Sequence, residues 1–339
     1  MVGYGVLFRI TVPKFVRIFK LPIPGASGTI ILGTRFCLIN FLEKDFHMKI
    51  STLLILGSFL LCAQVIAKTD STKVIYGEDN RKDVYDSSNA TFIELAKSTA
   101  AMINKNNLKS LLKSGEVEIS GTTLEGRGIC AQERFSKQIS VATCSGFLVS
   151  ANKLVTAGHC IETERDCENY KWIFDYKVDH ADQATVNIPS TSVFSCKRII
   201  ARKLDNISKD DYALIELDRN VTDRQPLKFR QSGRIDNGDA LVVIGHPTGL
   251  PTKISDGAKV RSRQMKFFVA NLDTYGGNSG SAVFNVESGE VEGILVRGDT
   301  DYVYNSTLGC QASNVCADES CRGEDVTYIT NISALKNLR

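Results

Sequence analysis

The sequence has little of what would assign it to a nucleic-acid-binding or metal-binding class. Its 339 residues include 41 Lys and Arg against 38 Asp and Glu, a formal net charge of +3 with no dense basic stretch. Nucleic acid is bound mainly through clustered positive charge, so we expect no nucleic-acid partner. No CxxC pair and no Cys/His cluster with zinc spacing is present, so we also expect no metal ion and no cofactor. Only four histidines are present, which makes a histidine in a defined motif a candidate functional residue.

The cysteine content points to an oxidising compartment. Ten cysteines are more than a reduced cytosolic enzyme of this size usually contains, and they indicate disulfide bonds. Cys37 and Cys62 lie before the predicted mature chain. The other eight are Cys130, Cys144, Cys160, Cys167, Cys196, Cys310, Cys316 and Cys321. We expect Cys167–Cys196 and a bridge within Cys310, Cys316 and Cys321, although the sequence alone leaves the connectivity open.

An internal methionine begins a segment with the pattern of a signal peptide. Met48-Lys49 precedes the apolar run Ile50–Leu61, and Val65 and Ala67 stand at positions −3 and −1 of a cut after Ala67. We therefore expect a signal peptide at 48–67 and a doubtful upstream extension at 1–47. The product would be secreted or periplasmic, with no membrane contact once the signal is removed. Two alternatives are a start at Met1 with 50–66 as a short membrane anchor, and a lipoprotein cut at Cys62, which Leu61 disfavours.

The segment Gly276-Gly277-Asn278-Ser279-Gly280-Ser281 is typical of a serine nucleophile held in a tight turn. Glycines on both sides of a serine allow positive φ angles and let backbone N–H groups point at a substrate carbonyl oxygen. The alternative is an ordinary hairpin turn before an apolar strand at Ser281–Phe284.

Two further segments supply a candidate base and a candidate acid. In Leu154–Cys160 a β-branched run leads into a small turn, which places His159 just past a strand end. In Asp210–Leu217 a carboxylate stands directly before an alternating apolar strand. Taken singly, the histidine could be a buried structural residue and the acid a solvated turn residue.

Together, in the order His–Asp–Ser, these segments resemble the chymotrypsin-like serine peptidases. That family has its histidine in TA(A/G)HC, its acid in D(I/Y)ALI/L and its nucleophile in G(D/N)SG, and all three motifs occur here. The resemblance runs from about Val74 to the C-terminus. It implies two antiparallel six-stranded β-barrels with the active site between them, and a Cys144–Cys160 disulfide beside the histidine loop.

The resemblance also implies a role for each residue. Ser279 would be the nucleophile, His159 the general base and acid, and Asp211 the carboxylate that orients the imidazole. Asp210 competes for the last role, but side chains alternate along a strand and the family pattern places Asp211 inward. The backbone N–H groups of Gly277 and Ser279 would form the oxyanion hole.

Several details resemble the bacterial glutamyl-endopeptidase-like branch of the family. They are the GNSGS sequence around Ser279, the segment Val243–Pro251, and the segment Lys73–Arg81, which is similar to a mature N-terminus. Processing near Val74 is expected on this basis, and a later cut after Arg127 is the alternative. Asn278 cannot form the ion pair by which an aspartate receives a newly freed N-terminus, and His246 is expected to be a structural loop residue.

Residues for substrate selection follow from the same resemblance. The family residue six positions before the nucleophile lies at the floor of the specificity pocket, and here it is Asp273. A carboxylate there would favour cleavage after Arg or Lys, whereas the alternative is that Asp273 caps a turn. The wall strand Gly293–Gly298 has no histidine, and its Arg297 and Gly298 are candidate substrate-binding residues. Arg297 would either favour an acidic residue or lie at the pocket rim in solvent.

The pattern along the chain predicts an all-β protein with a helical N-terminal arm. The arm covers 68–128, with a capping box at Thr91–Glu94 and an apolar helical face that includes Thr99, Met102 and Ile103. The first barrel would span 129–225 and the second 226–339. The predicted strands are Ser140–Val149, Lys171–Tyr176, Phe194–Arg202, Tyr212–Leu217, Ala240–Gly245, Ser281–Phe284 and Val291–Val296.

The function predicted from the sequence is therefore a secreted serine endopeptidase. It would act as a monomer on protein or peptide substrates, with a lean towards cleavage after Arg or Lys. The alternatives are a glutamate-specific endopeptidase, a non-catalytic binding or adhesion module with the same fold, and an esterase that uses the same acyl chemistry.

Overall fold

The computed structural model describes residues 30–33, 36–39, 75–112, 114–181, 183 and 185–337. The chain divides into two units, Met1–Asp70 and Ser71–Arg339. In the first unit, β1 (Ile30–Gly33) and β2 (Phe36–Ile39) pair as an antiparallel hairpin. The predicted signal peptide at 48–67 lies outside the described residues. Among the residues that are described, none of the helices has the length and apolar character needed to cross a membrane.

Six strands of the second unit close into the first barrel. They are β5 (Thr99–Asn104), β8 (Cys144–Ser150), β9 (Lys153–Thr156), β10 (Tyr170–Ile173), β12 (Val193–Leu204) and β13 (Asp211–Leu217). Their order around the barrel is β10-β12-β13-β9-β8-β5, and β5 closes the ring by pairing with β10. Alternate residues point inward, so Leu148, Leu154, Trp172, Ile215 and Leu217 fill the interior.

The second barrel has the same architecture. It contains β14 (Ala240–Gly245), β15 (Lys253–Arg263), β16 (Phe267–Ala270), β17 (Ala282–Asn285), β18 (Val291–Arg297) and β22 (Glu324–Tyr328). The pairing of β14 with β15 closes it. Another apolar cluster joins the two barrels. In it, Phe147 and Leu214 from the first barrel pack with Val242 and Ile294 from the second. This shared core fixes one barrel against the other, so residues at their junction have defined positions.

The remaining elements are short. They are β3 (Ile75–Tyr76), β4 (Arg81–Asp83), α1 (Ala90–Ala96), β6 (Leu108–Leu111), β7 (Glu116–Ile119), α2 (Glu164–Asn169), β11 (Val186–Pro189), β19 (Tyr302–Asn305), β20 (Cys310–Ser313), β21 (Val315–Cys316) and seven 3₁₀ turns among the described residues. Strands β11, β7 and β6 form a small separate sheet, and β19 and β20 form a hairpin.

The helical N-terminal arm is a wrong prediction. Helix α1 ends at Ala96, and the expected helical residues Thr99, Met102 and Ile103 lie instead in β5, a strand of the first barrel. Every position of β5 except Asn104 is buried, and a continuous apolar run fits a buried strand as well as a helix. The capping box is also wrong, because the N-cap is Asn89, whose side chain accepts hydrogen bonds from the N–H groups of Thr91 and Phe92.

The other described strands of the predicted arm lie in three different sheets, with β6 and β7 in the small sheet that contains β11. Strand β4 pairs with β15 at the edge of the second barrel, and β3 pairs in parallel with β21. The predicted barrel strands, by contrast, are confirmed, and Ala240–Gly245 has the predicted bounds.

Four disulfides join the eight cysteines of the second unit. The pairs are Cys130–Cys310, Cys144–Cys160, Cys167–Cys196 and Cys316–Cys321. Cys144–Cys160 is the pair that the family resemblance implies. The bridge expected among the last three cysteines is Cys316–Cys321, which leaves Cys310 to bridge to Cys130 across 180 positions.

A buried ion pair fastens β4 to the second barrel. The Lys253 ammonium lies 2.6 Å from Asp83 Oδ1 and donates hydrogen bonds to Gln138 Oε1 at 2.7 Å and to the Pro251 carbonyl at 2.9 Å. Lys253 and Asp83 have side-chain exposures of 1% and 4%.

We expect Lys253→Met to lower the free energy of unfolding by about 3–5 kcal/mol, because the Asp83 carboxylate stays buried without its cation. Urea unfolding of the two proteins measures the difference. Lys259→Met is the matched control, since Lys259 forms an exposed pair with Glu319 and its loss should change the free energy of unfolding far less. Equal losses of unfolding free energy in the two variants would show that the Lys253–Asp83 pair stabilises the fold no more than an exposed pair does.

Candidate active site

His159 and Asp211 meet at the open end of the first barrel. His159 follows β9, and Asp211 is the first residue of the neighbouring strand β13. Asp211 Oδ2 lies 2.8 Å from His159 Nδ1, while its Oδ1 accepts the backbone N–H groups of Gly158 at 2.7 Å and of His159 at 3.1 Å. The carboxylate is buried, and His159 is one-third exposed. This geometry favours the tautomer with the proton on Nδ1, so Nε2 is free to accept a proton.

Asp210 points away from His159. Its Oδ1 accepts a hydrogen bond from Asn331 Nδ2 at 2.7 Å, and its Oδ2 lies 3.2 Å from the Lys203 ammonium and 3.5 Å from that of Lys266. Adjacent residues at the start of β13 therefore face opposite sides, as expected from the alternation of a strand. Of the two acids, Asp211 is the one that contacts the imidazole.

The glycines around Ser279 are required by the shape of the loop. Gly277 and Gly280 have φ angles of 93° and 90°, in the left-handed region that other residues rarely adopt. A Cβ on Gly277 would lie 2.6 Å from the His246 carbonyl oxygen and 2.7 Å from the Gly249 nitrogen. The loop thus packs backbone against backbone, and Ser279 remains partly exposed.

Ser145 joins this loop to the first barrel. Its N–H donates to the Ser279 carbonyl at 2.8 Å, and its hydroxyl donates to the Gly277 carbonyl at 2.8 Å. The neighbouring Cys144 is bonded to Cys160, which follows His159, and Cys160 Sγ lies 3.6 Å from the Ser279 carbonyl oxygen. The structure therefore brings His159, Asp211 and the Ser279 loop together at the junction of the barrels. Sequence reasoning did not identify Ser145.

Asn278 and His246 are both enclosed beside the loop. Asn278 Oδ1 accepts a hydrogen bond from the Ser281 hydroxyl at 3.2 Å, so its amide is used within the turn. His246 is fully buried, and burial lowers its pKa to about 3. Its Nδ1 lies 3.1 Å from the Leu250 carbonyl oxygen, to which a neutral imidazole donates. The surroundings of His246 are those of a structural residue.

Asp273 contacts the N-terminal segment of the second unit. Its Oδ1 accepts the Tyr76 N–H at 2.7 Å, and its Oδ2 accepts the Asn80 N–H at 2.9 Å. The side chain is buried, and this burial raises the pKa of the carboxyl group to about 7. Both carboxylate oxygens thus accept backbone hydrogen bonds from the segment around β3. This arrangement is similar to the alternative prediction, in which Asp273 caps a turn. The sequence around Asp273 could not predict these backbone partners, because they lie almost 200 positions away.

Arg297 lies beside Asp211, and its predicted role in substrate binding stays a prediction. Its Nη1 lies 3.7 Å from Asp211 Oδ2, and its Nε donates to Asp325 Oδ2 at 3.1 Å. Gly298 is exposed, and the buried carboxylate of Glu324 packs directly against its Cα. Burial raises the Glu324 pKa to about 8. Sequence reasoning missed Glu324, because its proximity to Gly298 depends on the pairing of β18 with β22.

Comparison with known proteins gives a family match for the part of the chain that holds these residues. Residues 144–294 match the family model of the trypsin-like peptidase domain. The resemblance to this group of serine peptidases is thereby confirmed for that part of the chain, while the glutamyl-endopeptidase-like branch stays a prediction. No curated protein sequence matches the chain.

Three solved structures illustrate the structural similarity. A Glu endopeptidase is 16% identical with a TM-score of 0.45, over 78% of this chain and 99% of the other. The VesB protease of Vibrio cholerae is 14% identical with a TM-score of 0.44, over 76% of this chain and 65% of the other. A protease of M. tuberculosis in its active form is 12% identical with a TM-score of 0.43, over 80% and 90% of the two chains.

Proposed function

We propose that the protein is a serine endopeptidase that works through Ser279, His159 and Asp211. The observation that carries the proposal is the pair of contacts between Asp211 and the histidine loop, in which one oxygen takes His159 Nδ1 and the other takes two backbone N–H groups. In the proposal, His159 Nε2 is the atom that takes the hydroxyl proton of Ser279, which is partly exposed. The match of residues 144–294 to the trypsin-like peptidase domain supports it.

The mechanism follows from the chemistry of these groups. The Ser279 hydroxyl oxygen attacks the substrate carbonyl carbon while His159 Nε2 takes the hydroxyl proton. Asp211 stabilises the imidazolium that results. The imidazolium then gives the proton to the leaving amine, the peptide bond breaks, and an acyl-enzyme forms. Water, deprotonated by the same imidazole, releases the acid product and restores the Ser279 hydroxyl.

The oxyanion that forms during each attack needs hydrogen-bond donors. In the proposal these are the backbone N–H groups of Gly277 and Ser279, whose loop is fixed by the bonds from Ser145. Such donors stabilise the transition state because they are already oriented when the negative charge develops.

Gly277→Ala should lower kcat by about 10²–10³-fold, because its Cβ would displace the loop and its N–H. Steady-state hydrolysis of a peptide amide measures the loss. Gly289→Ala is the matched control: Gly289 also has a positive φ, of 67°, but a Cβ there meets no atom within 4 Å. Equal activity of the two variants would contradict the assignment of the Gly277 N–H group to the oxyanion hole.

Labelling with a serine-directed fluorophosphonate tests the proposal itself. The wild-type protein should be labelled at Ser279, and Ser279→Ala should not be labelled. Ser288→Ala is the control, because Ser288 is an exposed serine in a turn of the same barrel and its loss should leave labelling intact. A folded wild-type protein that is neither labelled nor active on peptides would favour the non-catalytic binding module.

Export and specificity are finer parts of the proposal. The four disulfides support a secreted or periplasmic protein, and N-terminal sequencing of the exported form should find a start at or after Lys68. Cleavage after Arg or Lys has the weaker support, since both oxygens of Asp273 already accept backbone hydrogen bonds.

A further inference from the structure

Arg297 connects the two barrels beside Asp211. It lies at the end of β18 in the second barrel, where its Nε donates to Asp325 Oδ2 on the paired strand β22 at 3.1 Å. Its Nη2 crosses to the first barrel and donates to the Lys209 carbonyl at 3.1 Å. Lys209 has a φ of 66°, so this hydrogen bond supports a left-handed turn two residues before Asp211.

The same guanidinium shares an oxygen of Asp211 with the imidazole. Asp211 Oδ1 has two backbone N–H partners, and Oδ2 has His159 Nδ1 at 2.8 Å and Arg297 Nη1 at 3.7 Å. The carboxylate of Asp211 thus has three hydrogen-bond contacts with the histidine loop and one nearby cation. Arg297 is fixed by Asp325 and Lys209, so its charge has a defined position beside Asp211.

We propose that Arg297 is a positioning residue that acts through Asp211 and does not bind substrate. The proposal rests on the proposed function. Arg297 would hold the Asp211 carboxylate and the turn before it against the second barrel, which carries Ser279. It would also weaken the attraction between Asp211 and an imidazolium at His159, because a second cation competes for the same oxygen.

Other charged groups near these residues are paired among themselves. Asp325 also pairs with Arg322 at 2.6 Å, and Asp210 pairs with Lys203 and Lys266. On the histidine side, Arg202 donates to the Gly158 carbonyl at 2.7 Å and lies 3.8 Å from Glu162. Among the residues that the structure describes, Arg297 is the arginine or lysine that lies within 4 Å of the Asp211 carboxylate.

Two readouts in Arg297→Gln test the proposal. We expect kcat to fall by about tenfold with KM changed less than about threefold, because positioning acts on the chemical step rather than on substrate binding. We also expect the pH at which the acid side of kcat/KM is half-maximal to rise. Removal of the cation makes the protonated imidazole easier to form, so activity is lost at a higher pH as the solution is acidified.

Two further variants separate this role from a structural one. Arg297→Lys keeps the charge without the planar fork, so it should restore the pH profile more fully than kcat. Arg322→Gln removes the other arginine on Asp325, which does not contact Asp211, and should leave kcat within about twofold. A rise in KM with unchanged kcat and pH profile in Arg297→Gln would overturn the proposal, as would a variant with wild-type kinetics.

An NMR titration of the His159 imidazole makes the test independent of turnover. In a Ser279→Ala background, Arg297→Gln should move the His159 titration to higher pH, and an unmoved titration would refute the electrostatic part. If the wild-type protein cleaves no peptide while this shift is seen, the proposed function fails and the contact between Arg297 and the acid stands.

Discussion

Asp211→Asn should lower kcat by about 10⁴-fold. The amide oxygen would remain where Gly158 and His159 donate their backbone N–H groups, which turns the amide NH₂ towards His159 Nδ1. The imidazole must then accept at Nδ1 and carry its proton on Nε2. In that tautomer it cannot take the proton of the Ser279 hydroxyl, so the fold is kept while the base is lost. Initial rates on a peptide amide across a pH series measure the effect.

Asp210→Asn is the matched control for this prediction. Asp210 is the adjacent acid, equally buried, but its carboxylate faces Asn331, Lys203 and Lys266 instead of His159. We expect kcat of this variant to stay within a few-fold of wild type. A large loss in Asp210→Asn with a small loss in Asp211→Asn would exchange the two assignments.

Ser279→Ala should lower kcat by about 10⁶-fold, to the level that binding and the oxyanion hole alone provide. Stability should change little, because the hydrogen bond between Ser279 and Ser145 uses the main-chain carbonyl and survives the substitution. Thermal melting checks the fold, and active-site titration excludes contaminating wild-type enzyme.

Adding Asp211→Asn to Ser279→Ala should cause almost no further loss of kcat, since the two side chains act as one unit. An additive loss of both factors would show that they act separately.

Local patterns in the sequence were enough to predict seven of the twelve barrel strands and the three motifs. A strand such as Ala240–Gly245 carries its own alternation or apolar run, and a turn such as that of Gly277 needs glycine wherever the fold places it. The contact between Asp211 and the histidine loop follows from the pairing of β9 with β13, two strands whose ends the sequence marks clearly.

What the sequence could not supply depends on contacts between distant segments. The run Thr99–Asn104 satisfies a helical pattern by itself, and its place as a barrel strand is decided by β8 and β10 on either side. The partners of Asp273 are backbone groups of Tyr76 and Asn80, which carry no side-chain signal. The position of Arg297 beside Asp211 likewise depends on how one barrel lies against the other.

The distribution of the disulfides has a consequence for a chain processed after Arg127. Residues 75–127 contain no cysteine, yet they include the barrel strand β5 and the edge strand β4. A cleavage there would yield a two-chain molecule whose smaller polypeptide is retained by non-covalent contacts, including the buried pair of Asp83 with Lys253. That polypeptide would dissociate in denaturant without any reducing agent. The remaining chain would then lack β5, one of the six strands of its first barrel.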